Sequence, residues 1–258
     1  LLLENNGDGT FNNVTERLGY DLKDAGMVTD SKWVDIDGDG KKDLVVTAEW
    51  DTPKVYKNTG RRLTKMTSSL DSLYGWWNTV ETADLDGDGD QDLILGNQGL
   101  NLHYKPTEYA PMRMYINDYD NNGTIEQIVT VQENGGDYPI HQKRELTEQL
   151  PLLKKQNLKA SDYAHRTIHQ LFPKEVMDKS IVKKAETSAS VIAINEGNGK
   201  FSIKNLPPRV QLSCVCDITC TDVNQDGNLD LIMAGNNYEF KPQFSRLDAS
   251  QGNLLLGD

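Results

Sequence analysis

The sequence predicts an all-β fold assembled from a repeated loop-and-strand unit, and three observations carry that expectation. Twenty-one glycines and a hydrophobic content of 37% in 258 residues describe a core cut into many short elements rather than a few long helices. An acidic loop recurs four times, each copy running into a short β-rich stretch. Glycine hairpins of a second kind follow apolar stretches at three further places.

The acidic loops are Asp35-Ile-Asp37-Gly-Asp39-Gly-Lys41-Lys-Asp43, Asp84-Leu-Asp86-Gly-Asp88-Gly-Asp90-Gln-Asp92, Asp118-Tyr-Asp120-Asn-Asn122-Gly-Thr124-Ile-Glu126 and Asp222-Val-Asn224-Gln-Asp226-Gly-Asn228-Leu-Asp230. Oxygen side chains hold positions 1, 3, 5 and 9, and glycine holds position 6, at Gly40, Gly89, Gly123 and Gly227. Calcium takes six to eight hard oxygens, and a tight loop brings alternate side chains to one centre while the glycine permits the sharp turn. The backbone carbonyls of Lys41, Asp90, Thr124 and Asn228 at position 7 would add a further ligand each. An EF-hand starts the same way but needs a bidentate glutamate at position 12. Val46, Leu95, Val129 and Met233 stand there instead, which removes that reading. Asp-Gly clusters are also ordinary hairpin turns, but four copies holding the same five positions favour metal loops. Four carboxylates in each of the first two loops and three in each of the last two repel one another unless a cation intervenes. Up to four structural Ca²⁺ ions are therefore expected, against a formal charge of −12.

The stretches after the loops, "LVV", "LIL", "QIV" and "LIM", read as short buried strands with position 9 at their start. The second turn type is "ENNGDGTF" (4–11), echoed by "NEGNGKF" (195–201) and more loosely by "YKNTGRRL" (56–63). Each lies between an apolar strand and a further strand, as the outer hairpin of a four-stranded unit. The third unit departs from this. Between Pro139 and about Ser188 the composition turns to Lys, Glu, Leu and Gln at helical spacing, so 141–186 is expected as two or three short helices inserted in one unit. Pro151 and Pro173 suit first-turn positions, and Ser161 suits an N-cap.

The four D-x-[DN]-x-[DN]-G-x-x-[DE] loops together with "NGDGTF" resemble the FG-GAP/VCBS repeat family, which includes the integrin α-subunit head. In "YPIHQKRELTEQLP", "SDYAHRTIHQLFP" and "NEGNGKFSIKNLP" the sequence looks like the bacterial members associated with ASPIC/UnbV domains. The resemblance runs along essentially the whole chain. It implies a β-propeller with a calcium in a loop of each repeat, exported and without enzymatic activity. On that frame the repeats fall at about 27–68, 74–104, 111–204 and 212–256, with a partial unit at 1–16, as one domain over 1–258 that is either a closed ring or an arc of one.

Composition narrows the partners. Thirty-nine acidic against 27 basic side chains leave no phosphate-neutralising surplus, which argues against nucleic acid. No apolar stretch approaches membrane-spanning length. The opening "LLLENNGDGTF" lacks a basic region and a cleavage site, so it is no signal peptide and the chain is expected to be a mature protein or an excised piece. Cys214, Cys216 and Cys220 leave the redox compartment open; Cys214 and Cys216 are expected on one face of a strand as small buried residues, since a zinc site lacks its second pair. His165 and His169, spaced four apart, are expected on one solvated helical face. Trp33, Trp50, Trp76 and Trp77 are expected mainly as packing, with a sugar-stacking surface at Trp50 or the Trp76–Trp77 pair as the alternative. Carboxylates outside the loops (Glu49, Asp51, Glu81, Glu133, Asp137, Glu239) single out no catalytic pair. The expectation is an exported or cell-surface scaffold that binds a protein or glycan, with the 141–186 segment as contact surface. The alternative is a polysaccharide lyase or glycoside hydrolase on a propeller scaffold.

Overall fold

Apolar runs separated by turn residues become short antiparallel strands throughout the computed structural model, which describes residues 1–156, 159–239 and 246–257. The chain opens with the hairpin β1 (Leu3–Asn5) and β2 (Phe11–Asn13), followed by the single-turn helix α1 (Thr15–Leu18). β3 (Met27–Val34), β4 (Asp43–Asp51), β5 (Lys54–Asn58) and β6 (Leu63–Met66) form a first sheet in chain order, and β7 (Gly75–Trp76) adds to the far end of β4. β8 (Thr79–Ala83) and β9 (Asp92–Gly96) then begin a second sheet.

At this point the chain leaves that sheet unfinished. It builds β10 (Met112–Asn117), β11 (Glu126–Glu133), β12 (Gly136–Pro139), the helices α2 (Lys143–Gln149), α3 (Leu152–Gln156), α4 (Ala160–Ala164), α5 (Ile168–Leu171) and α6 (Lys174–Met177), and β13 (Ile181–Ala185). It then returns as β14 (Val191–Asn195) and β15 (Phe201–Asn205), which complete the second sheet in the order β8-β9-β14-β15. A last sheet of β16 (Asp217–Thr221), β17 (Asp230–Ala234) and β18 (Asn253–Leu255) follows. The chain accordingly divides into two compact units, one of Leu1–Lys105 with Ser188–Asp258 and one of Pro106–Thr187.

This corrects the expected repeat at 111–204. The "SVIAI…NEGNGKF" hairpin pairs with β9, Val191 opposite Leu95 and Ala193 opposite Leu93, and so belongs with the second acidic loop rather than the third. The reason is local. β11 turns straight back through Asn134 and Gly135, both at positive φ (48° and 78°), the backbone that a two-residue Asn-Gly hairpin demands. β12 therefore already occupies the outer edge of β11, and β14 finds the open edge of β9.

In the first unit β9 and the first six residues of β4 are buried on both faces, which is why they read as unbroken apolar runs, whereas β17 leaves Ile232 exposed. Leu44 and Val46 of β4 face one cluster with Tyr56 and Leu63. Val45, between them, faces another with Trp77, Leu93, Leu95 and Val191, so the first sheet packs on the second. Ile94 points the other way, onto Ile218, Leu231 and Met233 of the last sheet. Alternation along a strand thus puts successive side chains into successive interfaces.

In the Pro106–Thr187 unit the sheet order is β12-β11-β10-β13, with the last strand beside the first as in a Greek key. Leu146, Leu150, Leu153, Tyr163, Ile168, Leu171 and Met177 pack with Tyr115, Tyr119 and Ile128. The apolar residues of the 141–186 segment are thus that unit's own core, in five short helices rather than two or three; Asn157 and Leu158 lie outside the described residues. Pro151 directly precedes α3, and Pro173 is the N-cap residue of α6. Ser161 lies inside α4, whose N-cap is Lys159. Of the expected last repeat, 240–245 lies outside the described residues.

Gly99 N donates to Ser188 O at 2.7 Å, so the departing and returning chains run close together. Replacing 106–187 by a short Gly-Ser linker is expected to leave a cooperative thermal transition, followed by circular dichroism, because β9 and β14 still pair. A chain without a transition would contradict this pairing.

Candidate metal loops

The four acidic loops share one backbone. The position-1 carboxylate accepts from the amide of the position-6 glycine: Gly40 to Asp35 at 2.7 Å, Gly89 to Asp84 at 3.0 Å, Gly123 to Asp118 at 2.9 Å and Gly227 to Asp222 at 2.9 Å. The position-5 oxygen accepts from the position-7 amide, as Asp39 does from Lys41, Asp88 from Asp90, Asn122 from Thr124 and Asp226 from Asn228. These short Asx-type bonds fold the turn from its own side chains. Positions 4 and 6 both sit at positive φ in every copy: Gly38, Gly87, Asn121 and Gln225, then Gly40, Gly89, Gly123 and Gly227. Glycine and asparagine tolerate that region, whereas glutamine is strained there.

Position 9 has a second structural task. Asp43, Asp92, Asp230 and Glu126 are buried, and each accepts from the position-2 amide: Ile36 at 3.2 Å, Leu85 at 2.9 Å, Val223 at 2.8 Å and Tyr119 at 3.1 Å. In the first unit the other carboxylate oxygen accepts from the end of the third strand. Asn58 N reaches Asp43 at 2.7 Å, Asn195 N reaches Asp92 at 2.7 Å and Gly257 N reaches Asp230 at 2.9 Å. Asn195 also donates its side-chain amide to Ile36 O at 2.9 Å, which fastens the second sheet to the first loop. The sequence places position 9 among the ligands and at the start of the next strand, but its bonds to these asparagines were missed. The signal was present in the glycine hairpins: Asn5, Asn58 and Asn195 each accept from the glycine two residues on.

The carboxylates converge on the loop's open side. Ligand oxygens of Asp35, Asp37 and Asp39 lie within 4.8 Å of one another, as do those of Asp84, Asp86 and Asp92, and those of Asp118, Asp120 and Glu126. Burial pushes the Asp43 and Asp92 carboxyls up, against the amide bonds that pull them down. The first loop differs in carrying cations of its own. Lys57 Nζ from β5 bonds Asp37 and lies 3.6 Å from Asp39, and Lys41 Nζ lies 3.0 Å from Asp39. The Lys41 ammonium holds Asp39 below the usual carboxylate range. In the third loop Asp120 Oδ1 is buried with no hydrogen-bond partner. An orphaned buried acceptor inside an all-oxygen donor set fits a hard divalent cation such as calcium. The residues that would hold it are those at positions 1, 3, 5 and 9, and its contribution would be to neutralise and brace the turn.

The other expectations resolve as follows. His165 caps the C-terminus of α4 and His169 lies in α5 against Tyr115, ring centroids 5.8 Å apart, so the two histidines do not share one helical face. Trp77 is fully buried, Trp50 meets Trp76 edge-on at 5.1 Å, and Trp33 is exposed. Asp51 pairs with Lys54, Glu81 with Lys32 and Asp137 with Arg113. Cys214 is buried but Cys216 is exposed, and both precede β16 rather than lie within a strand.

Antiparallel sheets whose strands are joined by D-x-[DN]-x-[DN]-G loops define a β-rich repeat protein with acidic turn sites. Residues 35–95, which hold the first two loops and the strands between, match the model of the FG-GAP-like repeat, so the chain carries an FG-GAP repeat in that stretch. No curated protein matches the chain.

Asp92→Ala strands the Leu85 and Asn195 amides, at about 1–3 kcal/mol for each. The loss is expected in urea unfolding with calcium and with chelator alike, whereas Asp86→Ala is expected to lower stability only with calcium. Gln225→Gly removes a left-handed non-glycine residue and is expected to raise stability by up to about 1 kcal/mol; a lower melting temperature would contradict the backbone assigned to the fourth loop.

Proposed function

We propose that the chain is a calcium-stabilised β-propeller module, or an arc of one, that works outside the cytoplasm as a non-catalytic scaffold binding a protein or glycan at the cell surface. The observation that carries this reading is the fourfold recurrence of one loop backbone, with carboxylate oxygens converging in the first three copies and a buried position-9 carboxylate accepting from the position-2 amide in all four. The first, second and last sheets packing face on face support the propeller arrangement. Sites of this kind suit an extracellular setting, where calcium-binding modules work at about 10⁻⁴–10⁻³ M. Among the described residues no helix is long and apolar enough to cross a membrane. The helical segment between β12 and β13 supports kinship with the ASPIC/UnbV-associated group, and its polar outer surface is the proposed contact face. The ion's role is structural: it replaces repulsion among carboxylates by coordination and performs no step on a substrate.

The loops are not equivalent in this reading. Lys57 already neutralises part of the first loop, so a divalent ion there has to displace an ammonium, while no ion pair reaches the second or third cluster among the described residues.

Each loop saturated at about 100 Kd would add about 2.7 kcal/mol, so stripping two loops is expected to lower the melting temperature by roughly 10 °C or more. An unchanged melt in EDTA would contradict the calcium reading. Calorimetric titration of Lys57→Gln with calcium is expected to give one more tight site than the parent chain. A glycan array and pull-down from surface extracts test the binding role, and failure to retain any ligand with calcium-loaded protein would reduce it to a structural domain.

A further inference from the structure

Away from the acidic loops, two thiols are held against each other. Ser213–Cys216 runs extended between the second and last sheets, with Val215 N donating to Asn97 O at 2.9 Å and Cys216 N donating to Ala234 O at 2.9 Å. Ser213 Oγ anchors the segment on Leu247 O at 2.8 Å. Two glycines make room for it. A Cβ on Gly96 would stand 2.5 Å from Val215 O, and one on Gly235 would stand 2.5 Å from Cys214 O and 2.9 Å from Cys216 Sγ. The clamped backbone sets the Sγ atoms of Cys214 and Cys216 3.2 Å apart, unbonded. A disulfide needs about 2.05 Å, so the two sulfurs stand near each other and have only to draw closer to bond. Their exposure differs: Cys214 is 2% exposed, whereas Cys216 faces solvent.

We propose that Cys214 and Cys216 form a thiol–disulfide exchange pair for low-molecular-weight disulfides, with exposed Cys216 as the attacking sulfur and buried Cys214 as the resolving one. The thiolate of Cys216 attacks a substrate disulfide RSSR, the S–S bond breaks, and RS⁻ leaves as a mixed Cys216–SR disulfide forms. Cys214 gives up its proton to the departing RS⁻, and its thiolate attacks Cys216 Sγ. The Cys214–Cys216 bond forms, and the second RS⁻ leaves and takes a proton from water. Two protein thiols are oxidised, one disulfide is reduced and two RSH are released. The hydrogen bond from Cys214 favours the Cys216 thiolate and lowers it to about 7, against burial and the Asp217 charge, while Cys214 is pushed up. Thiolate character on the accessible sulfur is what exchange requires. Cys220, half-buried on β16 and pushed up to about 11 mainly by burial, serves as an internal control.

The test is incubation of the folded chain with glutathione disulfide, quenching by alkylation, and intact-mass and peptide mapping. The parent chain is expected to lose two hydrogens with the bond mapped to Cys214–Cys216, to release two glutathiones and to keep no adduct. Cys214→Ser, or Cys214→Ala should serine disturb folding, is expected to accumulate one glutathione on Cys216. Cys216→Ser is expected to react at least tenfold more slowly. A stable glutathione adduct on the parent chain, a bond that maps to Cys220, or undiminished reaction of Cys216→Ser would overturn the proposal.

Discussion

The structure hangs on a buried carboxylate at the start of each central strand. Removing such a charge from water is costly unless hydrogen bonds compensate, and in the first unit each position-9 aspartate meets that cost with two backbone amides from different places. One comes from the loop behind it and the other from the end of the third strand. A single side chain therefore fixes how the loop folds and where the outer hairpin docks. The Asp92–Asn195 bond shows the reach of this device, since the two residues lie on either side of the whole Pro106–Thr187 unit. An insertion can sit inside a sheet when the pairing that closes the sheet is specified by a carboxylate and an apolar strand, not by chain continuity.

The same arrangement divides labour within the loop. Buried amides take the inward lone pairs of position 9, while positions 1, 3 and 5 bring their oxygens together in the first loop and positions 1, 3 and 9 do so in the second and third. Their Asx-type bonds shape the turn from its own side chains, so the carboxylates are brought together by the backbone with a mutual repulsion that a bound cation would relieve. Lys57 and Lys41 provide that relief internally in the first loop. Asp120, with its partnerless oxygen, leaves the third loop the most in need of an external charge. Repeats that look alike in sequence are thus graded electrostatically by what the neighbouring strand carries.

Much of this was legible in the sequence because it is local. Period and spacing identify the four loops, the strands that follow them and the outer hairpins, since each depends on residues within about a dozen positions. Pairing partners were harder. The chain order of hairpins suggests that "NEGNGKF" follows the third loop, and only Asn134-Gly135, an ordinary hairpin signal, discloses that β11 is already paired. His165 and His169 show the converse failure: regular spacing implied one helix, but α4 ends at Ala164 and α5 begins at Ile168, which puts the two on separate elements. The asymmetry of Cys214 and Cys216 was invisible for a similar reason. It depends on Gly96 and Gly235, whose missing side chains admit the segment from two different sheets.

The central claim is that the inward side of each loop is closed by backbone amides while the outward side is built to grip a hard divalent ion. Anomalous scattering from crystals grown in calcium measures this most directly. The account predicts peaks ringed by Asp84, Asp86 and Asp92 and by Asp118, Asp120 and Glu126, with the Leu85, Asn195 and Tyr119 amides still bonded behind them. Ordered loops without a peak, or peaks reached only by pulling those amides away, would contradict it.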